Sequence, residues 1–381
     1  MDIKTYSLRF FNKNTGTIQN DIWSELNEGL WKQLNINNYF SNSKIPSNQP
    51  HKTLPLFENY TIIPPGTFYD KKTHQLKEDL YYPTYIKTNK EKLYQVFEKF
   101  FAQYSNKKIA VHLSGGLDSS IIIGLLHHFN IPFYLVGLVS HRFEFRTEKI
   151  VQELLAPLGE KSILIDMDNY PPFSNLSQKP LSQIPDANIK QVDSSRAVAK
   201  TCKDLCVDVV FTGQGGDSIF VDAIPNSSDP WCCNIGNEFI QTYEAEVIYT
   251  EMGLELVSPY ADKQIINTIY SLRIGQKNDY LKKWARHFFS DILPRELVEY
   301  TYCADFFGIS MDGLEKAKPE IELLFKSAYE ITGNEIFSPK VTKDFLATDV
   351  FNFEYQNYID FCDKISLVTW YNALLREGYV K

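Results

Sequence analysis

The run Val111-His112-Leu113-Ser114-Gly115-Gly116-Leu117-Asp118-Ser119-Ser120 holds the residue types best suited to chemistry. Ile109 to Leu113 reads as a short apolar strand, and Ile121 to Leu126 as an apolar helical face. Between them, two adjacent glycines let the backbone approach a ligand closely. The N–H groups at the helix start and the helix dipole favour an anion at that place. Ser114, Ser119 and Ser120 add hydroxyl donors. The combination is a cradle for an oxyanion, most simply a phosphate. Asp118 narrows the chemistry, because a carboxylate beside a phosphate is repulsive unless a cation stands between them. Mg2+ suits that position, held by one or two carboxylates plus phosphate oxygens. The loop has no lysine, which separates it from the G-x-x-x-x-G-K-[ST] phosphate loop.

A second string, Thr212-Gly213-Gln214-Gly215-Gly216-Asp217-Ser218-Ile219-Phe220, repeats the theme of glycines followed by an acid. The first string resembles the SGGxDS pyrophosphate loop of the ATP pyrophosphatases. The second is similar to the G-x-G-x-D-x-x-F segment of the asparagine synthetase group, which includes asparagine synthetases, β-lactam synthetases and lasso-peptide cyclases. The resemblance spans roughly Asn89 to Lys381. It implies ATP and Mg2+ as cofactors. Nucleotide contacts are then expected from Leu113, Ser114, Gly115, Gly116, Leu117, Asp118, Ser119, Ser120, Leu138, Thr212, Gly213, Gln214, Gly215 and Gly216. Asp118 and Asp217 are the expected metal ligands, although Asp217 after Gly-Gly also suits a helix N-cap.

Those strings need a scaffold that brings them together. Helical spacing in Lys90 to Tyr104 precedes the first strand. Helix Ser119 to His128 leads to strand Phe133 to Leu138, and helix Arg146 to Leu158 to strand Ser162 to Ile165. A loop rich in Pro and Ser (Tyr170 to Pro185) is followed by helix Ala187 to Cys206 and strand Asp208 to Phe211. Alternating strands and helices predict an α/β fold with a parallel sheet covered on both faces. Ligands of such sheets bind beyond the carboxyl ends of the strands, where both glycine strings fall. From about Glu238 onward the pattern is mainly helical. The expected fold is a parallel-sheet ATP-pyrophosphatase domain over residues 89–381 with a helical C-terminal part, preceded by a small α+β module over residues 1–88.

That first module has a strand pattern in Ile3 to Phe11 and a helical pattern in Asp21 to Leu34, with Ile22, Leu26, Leu30 and Leu34 on one face. Asn35 to Thr53 reads as a loop. Tyr60 to Tyr69, with Pro64-Pro65-Gly66, resembles the strand-turn that closes the glutaminase domain of asparagine synthetases. A glutaminase of that family uses a cysteine exposed after methionine removal. The second residue here is Asp2, and no cysteine precedes Cys202. The module is therefore expected to be a truncated, degenerate remnant, with glutamine excluded as nitrogen donor.

Composition sets the class. The chain has 381 residues, 44% of them hydrophobic and 14% aromatic, enough for a substantial core. A net charge of −8 argues against a nucleic-acid surface. No signal-peptide core and no apolar run near the ~20 residues of a membrane span is present, so a cytoplasmic enzyme is expected. The six cysteines lack metal-ligand spacing and read as free thiols, with Cys202 and Cys206 four apart on a helix. His127 and His128 read as helix-surface residues.

In the helical part, Pro259-Tyr260-Ala261-Asp262 is similar to the group's P-[FY]-x-D helix start, with Asp262 as N-cap. Lys282 and Arg286 resemble the K-x-x-x-R pair of a helix beside the phosphates, and Leu293-Pro294 matches the L-P that follows. The chain also departs from the group. Gln214 stands where asparagine synthetases carry Glu, and Ser218 where many members have Glu. The expected R-x-K-x-x-F segment reads Glu299-Tyr300-Thr301-Tyr302-Cys303-Ala304-Asp305-Phe306, without a lysine. Tyr302 is the neutral donor nearest that register. Glu244, Glu246 and Glu251 lie roughly where β-lactam synthetases place a catalytic Glu.

The leading expectation is an amide synthetase that adenylates a carboxylate, releases pyrophosphate and AMP, and joins the acyl group to an amine. Its substrate is a small molecule or peptide bearing both groups, in natural-product biosynthesis, with a biosynthetic partner protein for a peptide substrate. A lasso-type macrolactam cyclase is the second reading. A nucleotide-binding scaffold whose chemistry has decayed is the third.

Overall fold

The computed structural model describes residues 9–19, 21–33, 57, 59–63, 67–70, 73, 75–78, 84–183, 185, 189–220, 246–274, 281–299, 306–347 and 355–380. The N-terminal part opens with β1 (Arg9–Asn12) and β2 (Thr17–Gln19), followed by α1 (Trp23–Asn27) and a 3-10 turn (Leu30–Gln33). β3 (Tyr60–Ile63) pairs antiparallel with β1, and β4 (Thr67–Asp70) with β5 (Gln75–Glu78). The helix expected over 21–34 is thus split at Glu28–Gly29, yet its apolar face holds: Ile22, Leu26 and Leu30 are buried. Leu34, the loop 35–53 and Pro64-Pro65-Gly66 lie outside the described residues.

The N-terminal part is pinned to the remainder. The Ile22 N–H donates to Gln183 Oε1 at 2.9 Å, and the Phe57 and Trp370 rings lie 6.4 Å apart. The Thr84 N–H donates to Asn267 Oδ1 and the Ile86 N–H to Ser271 Oγ, each at 2.9 Å.

From Lys90 the chain winds strand and helix in turn. α2 (Lys90–Ala102) is capped by the Asn89 side chain and buries Leu93, Phe97 and Phe101. β6 (Ile109–His112), α3 (Leu117–His128), β7 (Tyr134–Val139), α4 (Arg146–Leu155), β8 (Lys161–Asp166), α5 (Val192–Asp204), β9 (Val209–Phe211) and α6 (Gly216–Phe220) follow. A further strand, β10 (Glu255–Val257), completes a five-stranded sheet of order β10-β9-β6-β7-β8, with every pairing parallel. The alternation required this layout, because parallel neighbours need crossovers and right-handed crossovers place helices over the sheet. β6 and β9 are central and their apolar residues are buried, as expected for strands covered on both sides.

β10 falls in the stretch expected to be helical. Three residues are too few to show a period, and their pairing with β9 decides the conformation. The helix expected over 187–206 is shorter, with a 3-10 turn at Ile189–Gln191 before α5. Cys206 therefore lies beyond the helix, exposed, while Cys202 is buried and its thiol is pushed up to about 12 by burial. The two do not share a face. Cys232, Cys233 and Cys303 lie outside the described residues.

The remainder is helical. α7 (Lys263–Arg273), α8 (Lys283–Phe288), α9 (Arg295–Glu299), α10 (Phe307–Thr332), α11 (Pro339–Ala347) and α12 (Tyr355–Arg376) follow β10. No described helix is long and apolar enough to cross a membrane.

Candidate functional site

Strand order places the site. From β6 the chain moves one way to β7 and β8, and later returns to β9 and β10 on the other side. The reversal falls between β6 and β9, and the carboxyl ends of that pair carry the two glycine strings. Such a switch point leaves a crevice, because the flanking connections leave in opposite directions.

The first string turns tightly into α3. Gly115 has φ +78°, and a Cβ there would lie 2.8 Å from the Glu148 Cα. Only glycine fits that approach of α4 to the turn. Gly116 is the N-cap of α3 and supplies no capping side chain, so the first N–H groups of the helix face the crevice uncapped. The serines brace the turn. Ser114 Oγ and Ser119 Oγ share a hydrogen bond of 2.7 Å, and the Gly116 N–H donates to Ser114 Oγ at 3.1 Å. Ser120 Oγ is buried and donates to the Gly116 carbonyl at 2.6 Å, so its hydroxyl serves the helix rather than the crevice.

The second string packs against the first. The Gly216 N–H donates to the Gly213 carbonyl at 3.1 Å, and the Gln214 carbonyl accepts from Ser258 Oγ at 2.5 Å. A Cβ on Gly216 would stand 2.6 Å from Asp118 Cβ and 2.7 Å from its Oδ1. The glycine is what lets Asp118 and Asp217 come together. Tyr260 Oη, on the expected Pro259–Ala261 helix start, donates to the Asp118 carbonyl at 2.7 Å and fixes α3 from behind. Asp262 caps α7 as expected, accepting from the Gln264 and Ile265 N–H groups.

One cation joins the two acids. Lys282 Nζ lies 2.8 and 2.6 Å from the Asp118 carboxylate oxygens and 2.6 Å from Asp217 Oδ1. Lys282 takes the left-handed conformation (φ +52°) just before α8. The two arms differ. The Lys282 and Asp118 side chains are 9% and 17% exposed, whereas Asp217 is 74% exposed and screened by water. Burial works against the Lys282 charge, but Asp118 and Asp217 outweigh it and raise its pKa. Burial pushes the Asp118 carboxyl up, and Lys282 offsets this only in part. Two carboxylates from separate strings converging on one positive charge is a donor set that fits Mg2+ completed by phosphate oxygens. Among the described residues, no group of three or more His, Cys, Asp or Glu side chains offers an alternative metal site.

Arg286 lies one turn beyond Lys282, on α8. Its Nε donates to the Leu281 carbonyl at 2.7 Å and its Nη1 to the Leu297 carbonyl, which ties α8 to α9. Its buried guanidinium also places positive charge near Asp118, where it favours the carboxylate.

Beside the turn lies a cavity of about 260 Å³. Of Leu113, Leu138 and Gly213, which the resemblance sets around the adenosine, Leu113 and Leu138 line it, together with Ser114, Val136, Phe145 and Met167. His112 and Tyr249 form part of its wall and share a hydrogen bond of 2.8 Å. Burial pushes the His112 imidazole down to about 4, so the ring is neutral near pH 7. Two wall features escape the sequence reading. Gln152 is 2% exposed and bonds two strand-end carbonyls. A polar residue on the otherwise apolar face of a predicted helix was its only signal. Tyr249 had none.

Glu246 is helical, within residues 246–251, and does not line the cavity. Burial and the Glu255 charge raise its carboxyl to about 7. Between about pH 4.5 and 7 the native chain then holds a proton that the unfolded chain has released, so stability falls as pH rises through that window. Glu246→Gln is expected to leave stability unchanged at pH 4.5 and to raise it by about 1–2 kcal/mol at pH 8, measured by urea unfolding. Glu244 and Tyr302 lie outside the described residues.

An open parallel sheet with an anion cradle and an acidic pair at its switch point has the layout of a nucleotide-dependent α/β protein. Residues 102–223 match the family model of asparagine synthase, a family of ATP-dependent amidation and ligation enzymes. Over this segment, about a third of the chain, the protein is similar to that family. The match takes in β6 to β9 and both glycine strings, a narrower span than the Asn89 to Lys381 resemblance. Among curated proteins, no sequence matches the chain.

Proposed function

We propose that the chain is an ATP- and Mg2+-dependent carbon–nitrogen ligase that adenylates a carboxylate and transfers the acyl group to an amine. The observation that carries this reading is the convergence of Asp118 and Asp217 on one cation beside the uncapped start of α3. In the first step a carboxylate oxygen attacks the α-phosphorus and the bond to the β-phosphate oxygen breaks, releasing pyrophosphate. In the second the amine attacks the acyl carbon, AMP leaves with the C–O electron pair, and the amine gives up a proton. Mg2+, when bound, would neutralise phosphate charge during the first step.

The chain's own residues divide the work. The α3 N–H groups hold phosphate oxygens. Asp118 and Asp217 would hold the cation, and the cavity would take the nucleoside. With a metal between the two acids, Lys282 would be free to offer its charge to the phosphates. Residues 1–88 contain no cysteine that could hydrolyse glutamine, which supports an amine substrate as the nitrogen source. This favours specialised amide formation over asparagine supply.

One observation favours a second reading, a nucleotide-binding subunit without chemistry: an ammonium already fills the place between the two acids. ATP–pyrophosphate exchange separates the two. The ligase shows exchange that depends on an added carboxylate and falls in Asp118→Asn and Asp217→Asn. Exchange unaltered in both variants overturns the site assignment, and nucleotide binding without exchange under any carboxylate supports the second reading.

A further inference from the structure

Within the nucleotide reading above, Gln152 has a role beyond packing. Gln152 sits on α4 and is almost completely buried, yet it lines the cavity. Its Nε2 lies 2.8 Å from the Leu113 carbonyl and 2.7 Å from the Leu138 carbonyl. Two carbonyl acceptors fix which end of the carboxamide carries hydrogen, and both N–H donors are used. The carboxamide oxygen has no protein partner among the described residues, so it is the polar atom that Gln152 offers to the cavity. Leu113 immediately precedes the phosphate turn, and Leu138 lies near the end of β7. Gln152 therefore straps the two strand ends together and replaces their carbonyls, as acceptor, with its own.

We propose that Gln152 is the specificity-determining residue for the nucleobase, its Oε1 accepting a hydrogen bond from the 6-amino group of adenine. Val136, Leu138, Phe145 and Met167 give the wall an apolar stretch that suits a flat base, beside polar lining that includes Lys149, Lys190 and Ser194. A 6-oxo purine would set an acceptor against an acceptor in the same place. A buried acceptor without a partner is costly, so the group rejects bases lacking a donor there.

Equilibrium binding to the full chain in Mg2+ tests this, with ATP, GTP and purine riboside triphosphate, which lacks the 6-amino group. Wild-type protein is expected to bind ATP about tenfold or more tightly than either analogue. In Gln152→Met the ratio between ATP and purine riboside triphosphate collapses toward one. A purely structural strap would weaken all three ligands by the same factor and keep the ratio, which overturns the proposal. Equal wild-type affinity for ATP and purine riboside triphosphate overturns it without recourse to the variant. Failure of wild-type protein to bind ATP at all removes the nucleotide reading itself, and this assignment with it.

Discussion

Lys282→Met is expected to cost the ligand-free protein about 3–5 kcal/mol, read as a shift in the urea midpoint. The charge it removes is the counter-ion of Asp118, whose carboxylate is nearly as buried as the ammonium. Breaking a buried pair from one side leaves an ion in low dielectric without compensation, which is dearer than deleting both partners. The Asp217 arm adds little, because that carboxylate is largely in water. Mg2+ should then stabilise Lys282→Met more than wild type, since the ammonium no longer competes for the two acids. A cost below about 1 kcal/mol, or no difference in the Mg2+ effect, would show that Lys282 does not hold the acids together.

Asp118→Asn is expected to lower ATP–pyrophosphate exchange by about a hundredfold or more, with Asp217→Asn the milder variant. Asp118 is at the centre of the arrangement: α3 carries it, Gly216 presses on it, and Tyr260 holds its carbonyl. Asparagine keeps the shape and removes the charge, so the change reads the electrostatic role rather than packing. The neutral side chain also leaves Lys282 facing only the exposed Asp217. Unfolding midpoints measured alongside separate lost folding from lost exchange. An Asp217→Asn defect larger than that of Asp118→Asn would reverse the assigned order.

Much of this was legible in the sequence for physical reasons. Ile109–His112, Tyr134–Val139, Lys161–Asp166 and Val209–Phe211 are strands close to where apolar runs and flanking helices set them. The glycine strings announced the crevice because tight turns and close approach leave few other residues possible. What escaped the reading is set by tertiary contact. Glu255–Val257 is a strand only because β9 lies beside it. Lys282 is set beside the phosphates by resemblance, but its direct pairing with Asp118, 164 residues away, has no local pattern behind it. Arg286, paired with Lys282 by resemblance, adds charge near Asp118 and also donates to the Leu281 and Leu297 carbonyls, because a buried guanidinium must satisfy its donors nearby. Gln152 was hidden because its partners are backbone carbonyls of two strands, which carry no sequence signature.

The far helix α12 has a consequence for how the protein is made. Trp370 Nε1 donates to the Ser182 carbonyl, and Arg376 donates to the Ser177 and Lys179 carbonyls, reaching back 199 residues to the first of these. That loop follows Tyr170 and Pro172, which line the cavity. During synthesis the parallel sheet can assemble while these carbonyls still await their donors. A ribosome-bound chain that stops before residue 370 would therefore carry the cradle with an unfinished wall, and competence to hold a ligand would arrive late and abruptly in translation.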